Sequence, residues 1–400
     1  MSSTRRGPWL CFAPALLATA GAAGCNLLTG AADLEIEGAG AGAAGSTGTE
    51  GAGASGAGSS TGTGDGGASA TGGAGGSAST GANPTCPAPC GANEYCEPET
   101  LTCVCSPGFV QQGGACVAVA PGDPTTRTQA EVCQRWQEGH VVTEPDPVVA
   151  SGAQCDAGAL KQAAIVDTLV RINLFRWLSG LGPTTDDAAL NADAQKCANL
   201  ESWWDFGLPE SPHSPPAGVT CYTPEGAASA GQSNIAWGSG HPAQAIDQFM
   251  EDSGNATTMG HRRWIVNPPL QPVGIGYWET GGTYGNAECL RVFGAGGNGP
   301  NPPWTSVPNP GFVPLEVATW TWTFHGSLGG IPGAGIAVLR VDDNTPLPVA
   351  VQALQQGYAQ DAISWNPSGW TVEAGKTYRV TISGLGGGDV VYDVKPVVCN

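Results

Sequence analysis

Apolar residues recur at helical spacing in three stretches near the middle of the chain. Between residues 159 and 178 they repeat every three or four positions, which predicts a helix. Asp186-Asp187 can provide the N-cap of a second helix that runs through Trp204. Pro242 is suited to the first turn of a third helix, which we expect to end near Gly254.

Two shorter apolar runs follow these helices, at Pro272–Trp278 and Glu288–Phe293. Runs of this length predict strands rather than helices. Helices that cover a small sheet define an α+β domain. We place this domain at residues 159–296, after a connecting segment at residues 119–158.

The last quarter of the chain alternates apolar and polar residues at the spacing of a strand. In the first such run, Trp320, Trp322 and Phe324 fall on one face and threonines fall on the other. Several runs separated by turn residues predict an antiparallel β-sandwich over residues 315–399, after a linker at 297–314 that is rich in Pro, Gly and Asn. The further runs are Ile336–Val341, Leu347–Gln352, Ala362–Trp365, Thr377–Ser383 and Val390–Val394.

The tryptophans of this region permit two interpretations. Flat indole rings exposed on one strand face would form a platform for sugars. Trp320 and Trp322, however, share the face that has to fill the predicted core. We therefore expect both side chains to be core residues.

The chain begins with the pattern of an export signal. Arg5-Arg6 precede an apolar run at Trp9–Ala20, which is too short for an ordinary spanning helix, and small residues then lead to Cys25. Residues 1–24 are therefore predicted to be a signal peptide. A Gly-Cys pair after small residues resembles a bacterial lipobox, in which Cys25 would carry lipid and anchor the chain to a membrane. Plain secretion without lipid is the other interpretation.

Residues 25–85 contain almost nothing that could form a core. From Gly38 to Ala82 every residue is Gly, Ala, Ser or Thr, except Glu50 and Asp65. Such a segment buries too little apolar surface to offset its ordering entropy. We predict a flexible linker that holds the rest of the chain away from a membrane.

Charge and cysteine content narrow the class of protein. The chain of 400 residues has 15 Lys and Arg against 34 Asp and Glu, a net charge of −19. It offers no basic field for phosphates, so we expect no nucleic-acid partner. Fourteen cysteines indicate an oxidising compartment. These properties favour an exported protein of the outer surface or cell envelope.

Six cysteines between residues 86 and 116 follow the spacing C-x3-C-x5-C-x6-C-x-C-x10-C. With Gly108-Phe109 after the fifth cysteine, the spacing resembles an epidermal-growth-factor-like (EGF-like) module, which we place at residues 86–118. A segment this small needs disulfides in place of a large core. The residues before the first cysteine lack the acidic cluster of calcium-binding members, so we expect no calcium. The resemblance implies Cys86–Cys96, Cys90–Cys103 and Cys105–Cys116, whereas the pairing stays open for Cys133, Cys155, Cys197, Cys221, Cys289 and Cys399.

Five short motifs in the middle of the chain occur in a characteristic order. They are Asn173-Leu-Phe-Arg-Trp-Leu-Ser-Gly-Leu, Ala194-Gln-Lys-Cys-Ala, Ser211-Pro-His, Ser233-Asn-Ile-Ala-Trp-Gly and Met259-Gly-His-Arg-Arg-Trp. Together they resemble the cysteine-rich secretory, antigen 5 and pathogenesis-related superfamily, called CAP or SCP-like. The last motif is similar to bacterial members. The resemblance implies an α-β-α sandwich with a cleft.

The cleft of that family carries two histidines and two acids, and the resemblance implies which residues stand there in this chain. The histidines correspond to His213 and His261. The first acid of the family stands before an Asn, and Ser233 takes its place here. The second acid corresponds to Asp252, which is shorter than Glu by a methylene and has Glu251 beside it. The predicted cleft residues are His213, Ser233, Asn234, Glu251, Asp252 and His261.

Three of these side chains form a candidate metal site. The imidazoles of His213 and His261 and the carboxylate of Asp252 could hold a divalent ion such as zinc, with an open position for water. They could equally support one another by hydrogen bonds without metal. Because two oxygen ligands have become at most one, we favour the cleft without metal and commit to no cofactor.

Two other features near the cleft give weaker signals. A Ser-His-Asp arrangement through Ser233 lacks a Gly-x-Ser-x-Gly turn and an identifiable oxyanion site, which disfavours nucleophilic catalysis. Arg262 and Arg263 form a positive spot that could meet an anionic group. Pairing with nearby acids at the surface is the commoner role of such arginines, and we expect it here.

The predicted export, the disulfides and the loss of one of the two acids of the family's cleft favour a binding protein over an enzyme. We expect a ligand-binding or adhesion module whose ligand is a lipid, a glycan or a surface protein. The alternative is a metal-dependent cleft hydrolase, acting on peptides or an envelope polymer, that uses His213, His261 and Asp252. Such an enzyme would be expected to keep both acids for metal binding and proton transfer.

Overall fold

The computed structural model describes residues 86–150, 153–270, 272–279, 285–293 and 302–400. The predicted signal peptide, Cys25 and the linker at residues 25–85 lie outside these ranges. Within the described part of the chain, no helix is both long enough and apolar enough to cross a bilayer.

Two antiparallel hairpins form the N-terminal module, residues 86–118. β1 (Glu94–Glu97) pairs with β2 (Thr102–Cys105), and β3 (Phe109–Gln112) pairs with β4 (Ala115–Ala118). Glycines with positive φ at both turn positions close the second hairpin. The disulfides of the module are those that the resemblance implies, Cys86–Cys96, Cys90–Cys103 and Cys105–Cys116.

Residues 119–158, expected to be a connecting segment, contain regular structure of their own. Helix α1 spans Gln129–Gly139, and strand β5 (Val148–Val149) pairs with β6 (Ala159–Leu160). A disulfide joins Cys133 of α1 to Cys399 at the other end of the chain. The segment is therefore an integral part of the fold rather than a spacer.

The three predicted helices are confirmed, with small shifts at their ends. α2 spans Gln162–Leu178, and α3 spans Ala188–Glu201, capped by the side chain of Asp187. The predicted extension of α3 to Trp204 is wrong, because the chain turns after Glu201. The remaining helices of the domain are α4 (Pro224–Ala230), α5 (Pro242–Glu251) and α6 (Gly260–Ile265).

A three-stranded antiparallel sheet lies between these helices. Its strands are β7 (Ser233–Trp237), β8 (Gly274–Glu279) and β9 (Asn286–Arg291), in the order β7-β9-β8. Cys289 faces α3 and is joined to it by the disulfide Cys197–Cys289. The next residue, Leu290, packs in the core with residues of α2 and α5. The predicted α+β class is confirmed. The third disulfide of this part joins Cys155 to Cys221.

α2 is more deeply buried than an amphipathic surface helix. Of its 17 residues, 13 are buried, including the charged Arg171 and Arg176. The apolar stripe in the sequence therefore marks only one side of a helix that is covered on almost every side.

The start of the C-terminal β-domain, residues 304–397, corrects two predictions. The expected linker at 297–314 contains β10 (Trp304–Val307) and β11 (Gly311–Pro314). The strand expected up to Phe324 is instead a helical turn, α7 (Leu315–Thr319), followed by β12 (Trp322–Gly326). The helical turn places Trp320 at the end of α7 and not in register with Trp322.

Two sheets with a common core make up the β-domain. One has the strand order β10-β12-β16-β15 and the other β11-β18-β17-β13-β14. The pair β11–β18 is parallel, so the sheets are not wholly antiparallel as predicted. The run expected as one strand at Leu347–Gln352 is divided at Pro348 between both sheets. The later strands are β13 (Gly335–Arg340), β14 (Thr345–Leu347), β15 (Val349–Ala353), β16 (Asp361–Pro367), β17 (Tyr378–Ser383) and β18 (Val390–Val397).

Both tryptophans assigned to the core are buried, but they fill different places. Trp322 packs against Trp365 and Tyr378 between the two sheets. Trp320 lies with its ring centroid 5.9 Å from that of Phe175 in α2. Trp320 therefore joins the β-domain to the central helices.

Candidate functional site

The acid of the predicted cleft lies where α5 ends. Asp252 follows the helix in the left-handed conformation, with φ of 54°. Its carboxylate is fully buried. The left-handed turn reverses the chain and brings the start of α6 back beside the Asp252 side chain.

His261, in the first turn of α6, contacts this acid directly. Its Nδ1 lies 3.0 Å from Oδ1 of Asp252. Asn255 Nδ2 donates to the same oxygen over 2.8 Å, and the backbone N–H of Arg262 donates to Oδ2 over 3.3 Å. Nδ2 of Asn255 also lies 2.9 Å from Nδ1 of His261, so the Asp252 carboxylate and the Asn255 amide together orient the imidazole from its Nδ1 side.

His213 lies in the loop between α3 and α4. Its Nδ1 is 2.9 Å from the carbonyl oxygen of Ala230, at the end of α4. Burial lowers the pKa of His213 to about 4, the hydrogen bond to Ala230 raises it in part, and the charge of the nearby His261 lowers it further. His213 is therefore neutral at neutral pH, and with Nδ1–H donating, its Nε2 is an acceptor.

The other predicted cleft residues have different roles. The Ser233 hydroxyl is buried and donates to the carbonyl of Ser229 over 2.7 Å and not to a histidine. Asn234 donates from Nδ2 to the carbonyl of His261 over 3.0 Å, which holds α6 against β7. Glu251 is exposed at the end of α5. The structure thus groups His213, Asn234, Asp252 and His261 and gives Ser233 and Glu251 no part in this group.

The donor set does not fit the three-ligand metal site that we considered. The ligand atoms of His213, His261 and Asp252 do not all lie within 4.8 Å of one another in the described structure. Both oxygens of Asp252 already accept hydrogen bonds from protein groups. The carboxylate acts on His261 and is not directed at a shared ligand position.

Comparison with protein families identifies the domain that carries this group. Residues 169–292 match the model of CAP, the cysteine-rich secretory protein family. These residues form a CAP domain. No curated protein matches the chain. The matched range contains all six predicted cleft residues.

Two arginines of the CAP domain contradict the expectation of surface ion pairs. Arg262 and Arg263 are almost wholly buried, and each donates mainly to backbone carbonyls. Burial lowers the pKa of each to about 10, and the charges of nearby acids partly offset this effect. The apolar run Trp264-Ile265-Val266 directly after them is the one sequence signal of burial.

Two buried glutamates of the CAP domain also escaped prediction. Glu201 and Glu288 are inaccessible to solvent, and their carboxylates have no hydrogen-bond partner. Burial raises the pKa of each well above its ordinary value. Glu201 follows Cys197 by four residues, so it lies on the face of α3 that packs on the sheet, which the sequence could have indicated.

A concavity lies between the N-terminal module and α2. Pro107 and Gly108 of the module, Arg135 of α1 and Trp177 of α2 line it. The guanidinium of Arg135 lies 4.7 Å from the centroid of Trp177. None of the predicted cleft residues lines this concavity.

Proposed function

We propose that this chain is an exported ligand-binding or adhesion protein whose CAP cleft binds without catalysing a reaction. The observation that carries the proposal is the state of the two imidazoles. The Nδ1 of His213 lies 2.9 Å from the Ala230 carbonyl oxygen and that of His261 contacts Asp252 and Asn255, so Nε2 is the nitrogen that we assign to the ligand in each ring. Among the described residues, no hydroxyl group is hydrogen-bonded to either ring, and the only carboxylate that pairs with one of them is that of Asp252.

Two fixed ring nitrogens favour a ligand that donates hydrogen bonds. The buried aromatic ring of Phe249 packs edge-on against His261, with centroids 5.0 Å apart, and helps to fix the imidazole in place. Among lipid, glycan and protein ligands, a glycan combines many hydroxyl donors with apolar ring faces. We therefore favour a glycan as the ligand class.

A glycan array probed with the labelled exported chain tests this function. We expect saturable binding that is lost in the His213→Gln/His261→Gln double variant. His140→Gln is the matched control, because His140 is a partly exposed histidine held by the Trp136 carbonyl outside the CAP cleft. Binding that survives the double variant, or no binding to any glycan, would contradict the proposal. Phosphatidylglycerol vesicles serve as the lipid arm of the same comparison.

The metal-dependent hydrolase has no supporting observation in the donor set. Calorimetric titration of zinc into the exported chain should give no tight one-to-one binding that depends on His213, His261 and Asp252. Stoichiometric binding that is abolished by His213→Gln/His261→Gln would restore the hydrolase as a candidate.

Attachment to the cell surface completes the proposal. The bacterial lipobox pattern at Cys25 supports a lipid anchor, and the Gly-rich linker and the EGF-like spacing of the six-cysteine module support a tethered display of the CAP domain. Replacement Cys25→Ser should move the protein from the membrane fraction to the medium. Retention in the membrane fraction would count against the anchor.

A further inference from the structure

Arg262, the residue directly after His261, links the acid of the cleft to the β-domain. On one side its guanidinium donates to the carbonyls of Met250 and Glu251, the two residues before Asp252. On the other side it donates to the carbonyl of Thr321, and more weakly to the Thr323 hydroxyl at 3.2 Å. One planar group therefore contacts both the end of α5 and the start of β12.

The position of Asp252 depends on this end of α5. Positive φ is uncommon for residues other than glycine, although Asp adopts it more readily than most, and surrounding contacts favour it at Asp252. Arg262 supplies such contacts twice, through its guanidinium on the preceding carbonyls and through its backbone N–H on Oδ2. The charge of Asp252 in turn partly balances the buried guanidinium.

The acceptors on β12 belong to a rigid part of the β-domain. All five residues of β12 are buried. Thr323 and His325 alternate along the strand with Trp322 and Phe324, which fill the core between the two sheets. The face of Thr323 and His325 is thus the face on which the arginine of the CAP domain docks.

Arg263 provides an internal comparison. It is as deeply buried as Arg262 and also crosses to the β-domain, where it donates to the carbonyls of Gln355 and Gln360 over 2.7 Å each. Its third hydrogen bond is to the carbonyl of Thr258, and none of the three reaches residues 250–252. Arg263 fastens the two domains together without touching the acid of the cleft.

We propose that the C-terminal β-domain sets the geometry of the His261–Asp252 pair and that Arg262 is the positioning residue through which it does so. This inference rests on the proposed function of the cleft as the ligand site. According to this inference, the β-domain contributes to the geometry of the cleft and is not an independent module. Lys cannot replace Arg262, because a single ammonium cannot reach acceptors on both sides as a forked guanidinium does.

The test is the downfield imidazole N–H signal expected in proton NMR of the full exported chain when His261 Nδ1 donates to Asp252 Oδ1, which lies 3.0 Å away, and not when it accepts from Asn255 Nδ2, which lies 2.9 Å away. Its assignment comes from its absence in His261→Gln. We expect Arg262→Lys to lose this signal and Arg263→Lys to keep it, although both replacements weaken the interface. Thr323→Val alters only the β-domain side of the contact and should shift the signal. It is the replacement test if Arg262→Lys does not fold.

An unchanged signal in both Arg262→Lys and Thr323→Val would overturn the proposal. Equal loss in the Arg262 and Arg263 variants would overturn it too, because general loosening of the interface would then explain the effect. The readout needs no ligand. A failed glycan screen with an Arg262-dependent signal would therefore contradict the proposed function and leave this inference standing.

Discussion

The N-terminal module and the CAP domain are stabilised by different means. In the module only Ser106 and Cys116 are buried, and three disulfides hold residues 86–118 together. The CAP domain is built around α2, where 13 of 17 residues are buried. It also buries arginines whose guanidinium groups bond to carbonyls of distant segments.

This difference shows that one chain stabilises a small module and a larger domain by different physical means. A module of this size exposes too much of its surface to be stabilised by apolar burial, so covalent links restrict its unfolded state instead. The larger domain has a core and can place arginines inside it because most of their donors find carbonyl acceptors there. Breaking each kind of support should therefore affect one region and spare the other.

The largest effect is expected from Arg176 in the CAP domain. Its guanidinium donates to the carbonyls of Gly182, Ile265, Asn267 and Pro268. Arg176→Met would remove these four hydrogen bonds, of whose acceptors Asn267 alone would keep a recorded partner, the N–H of Leu270, at a cost of about 3–5 kcal/mol in the free energy of unfolding. Urea unfolding followed by tryptophan fluorescence measures the loss.

Arg379→Met is the control for that measurement. Arg379 pairs with Asp393 on an exposed part of the β-domain, and its side chain is 45% exposed. Its replacement should change the free energy of unfolding by less than about 1 kcal/mol. Equal losses in the two variants would contradict the role that we assign to buried arginine.

The second prediction concerns the disulfides of the module. Cys105→Ser/Cys116→Ser should destabilise the module by about 2–4 kcal/mol, because the bridge closes a loop in the unfolded chain. Limited proteolysis with mass spectrometry should then find new cleavage within residues 86–118. The urea midpoint of the remaining domains should stay where it was. A parallel fall in that midpoint would show that the module supports the CAP domain.

A smaller effect is expected where the module meets α2. Gly108 has φ of +86°, and a Cβ there would lie 2.5 Å from Cβ of Pro183. Asn173 of α2 donates to the neighbouring Pro107 carbonyl over 2.9 Å. Gly108→Ala should therefore loosen the docked module at a cost of about 1–3 kcal/mol.

Gly113→Ala separates docking from backbone strain. Gly113 also has positive φ, but a Cβ there would meet nothing within 4 Å. It should cost about 1 kcal/mol through strain alone and leave amide exchange at the α2 interface unchanged. Faster exchange in α2 for Gly108→Ala only would confirm the docking contact, whereas the same exchange in both variants would refute it.

The sequence predicted best what local spacing controls. The helices at Gln162–Leu178 and Pro242–Glu251 follow from apolar periodicity and an N-terminal Pro. The run ending at Phe324 does not form one strand, because alternation alone does not reveal the helical turn that the chain makes after Pro314. There, the indole of Trp322 donates to the Ala318 carbonyl, a contact that requires the turn.

In the site, residue types were predictable but their partners were not. The motifs of the CAP resemblance located His213, Asp252 and His261, yet did not indicate that Asp252 would orient His261 instead of joining a metal site. Arg262 and Arg263 were assigned to the surface because arginine is rarely buried. Their acceptors in the β-domain lie 59 to 97 residues further along the chain, beyond any local pattern.

Low pH is expected to give the smallest difference in stability between the N-terminal module and the rest of the described chain. All five histidines lie outside residues 86–118. Burial lowers the pKa of His213 to about 4 and that of His325 well below its ordinary value, with the charges of nearby arginines adding to the effect on His325. A lowered pKa means that the folded state favours the neutral ring, so this stability is complete above the ordinary value of about 6.5 and is lost as the pH falls toward the folded value.

Between pH 7 and pH 5 the His213 contribution should fall by about 1–2 kcal/mol. The buried acids Glu201 and Glu288 act in the opposite direction, because their raised pKa values favour the protonated form in the folded state. The measurement therefore compares two chains by urea unfolding at both pH values. The free energy of unfolding should fall less between pH 7 and pH 5 for His213→Gln than for the native chain. The module, without histidine, should keep its proteolytic resistance over this range. If the variant and the native chain lost equal stability, His213 would be exposed to water and the cleft would be more open than its burial implies.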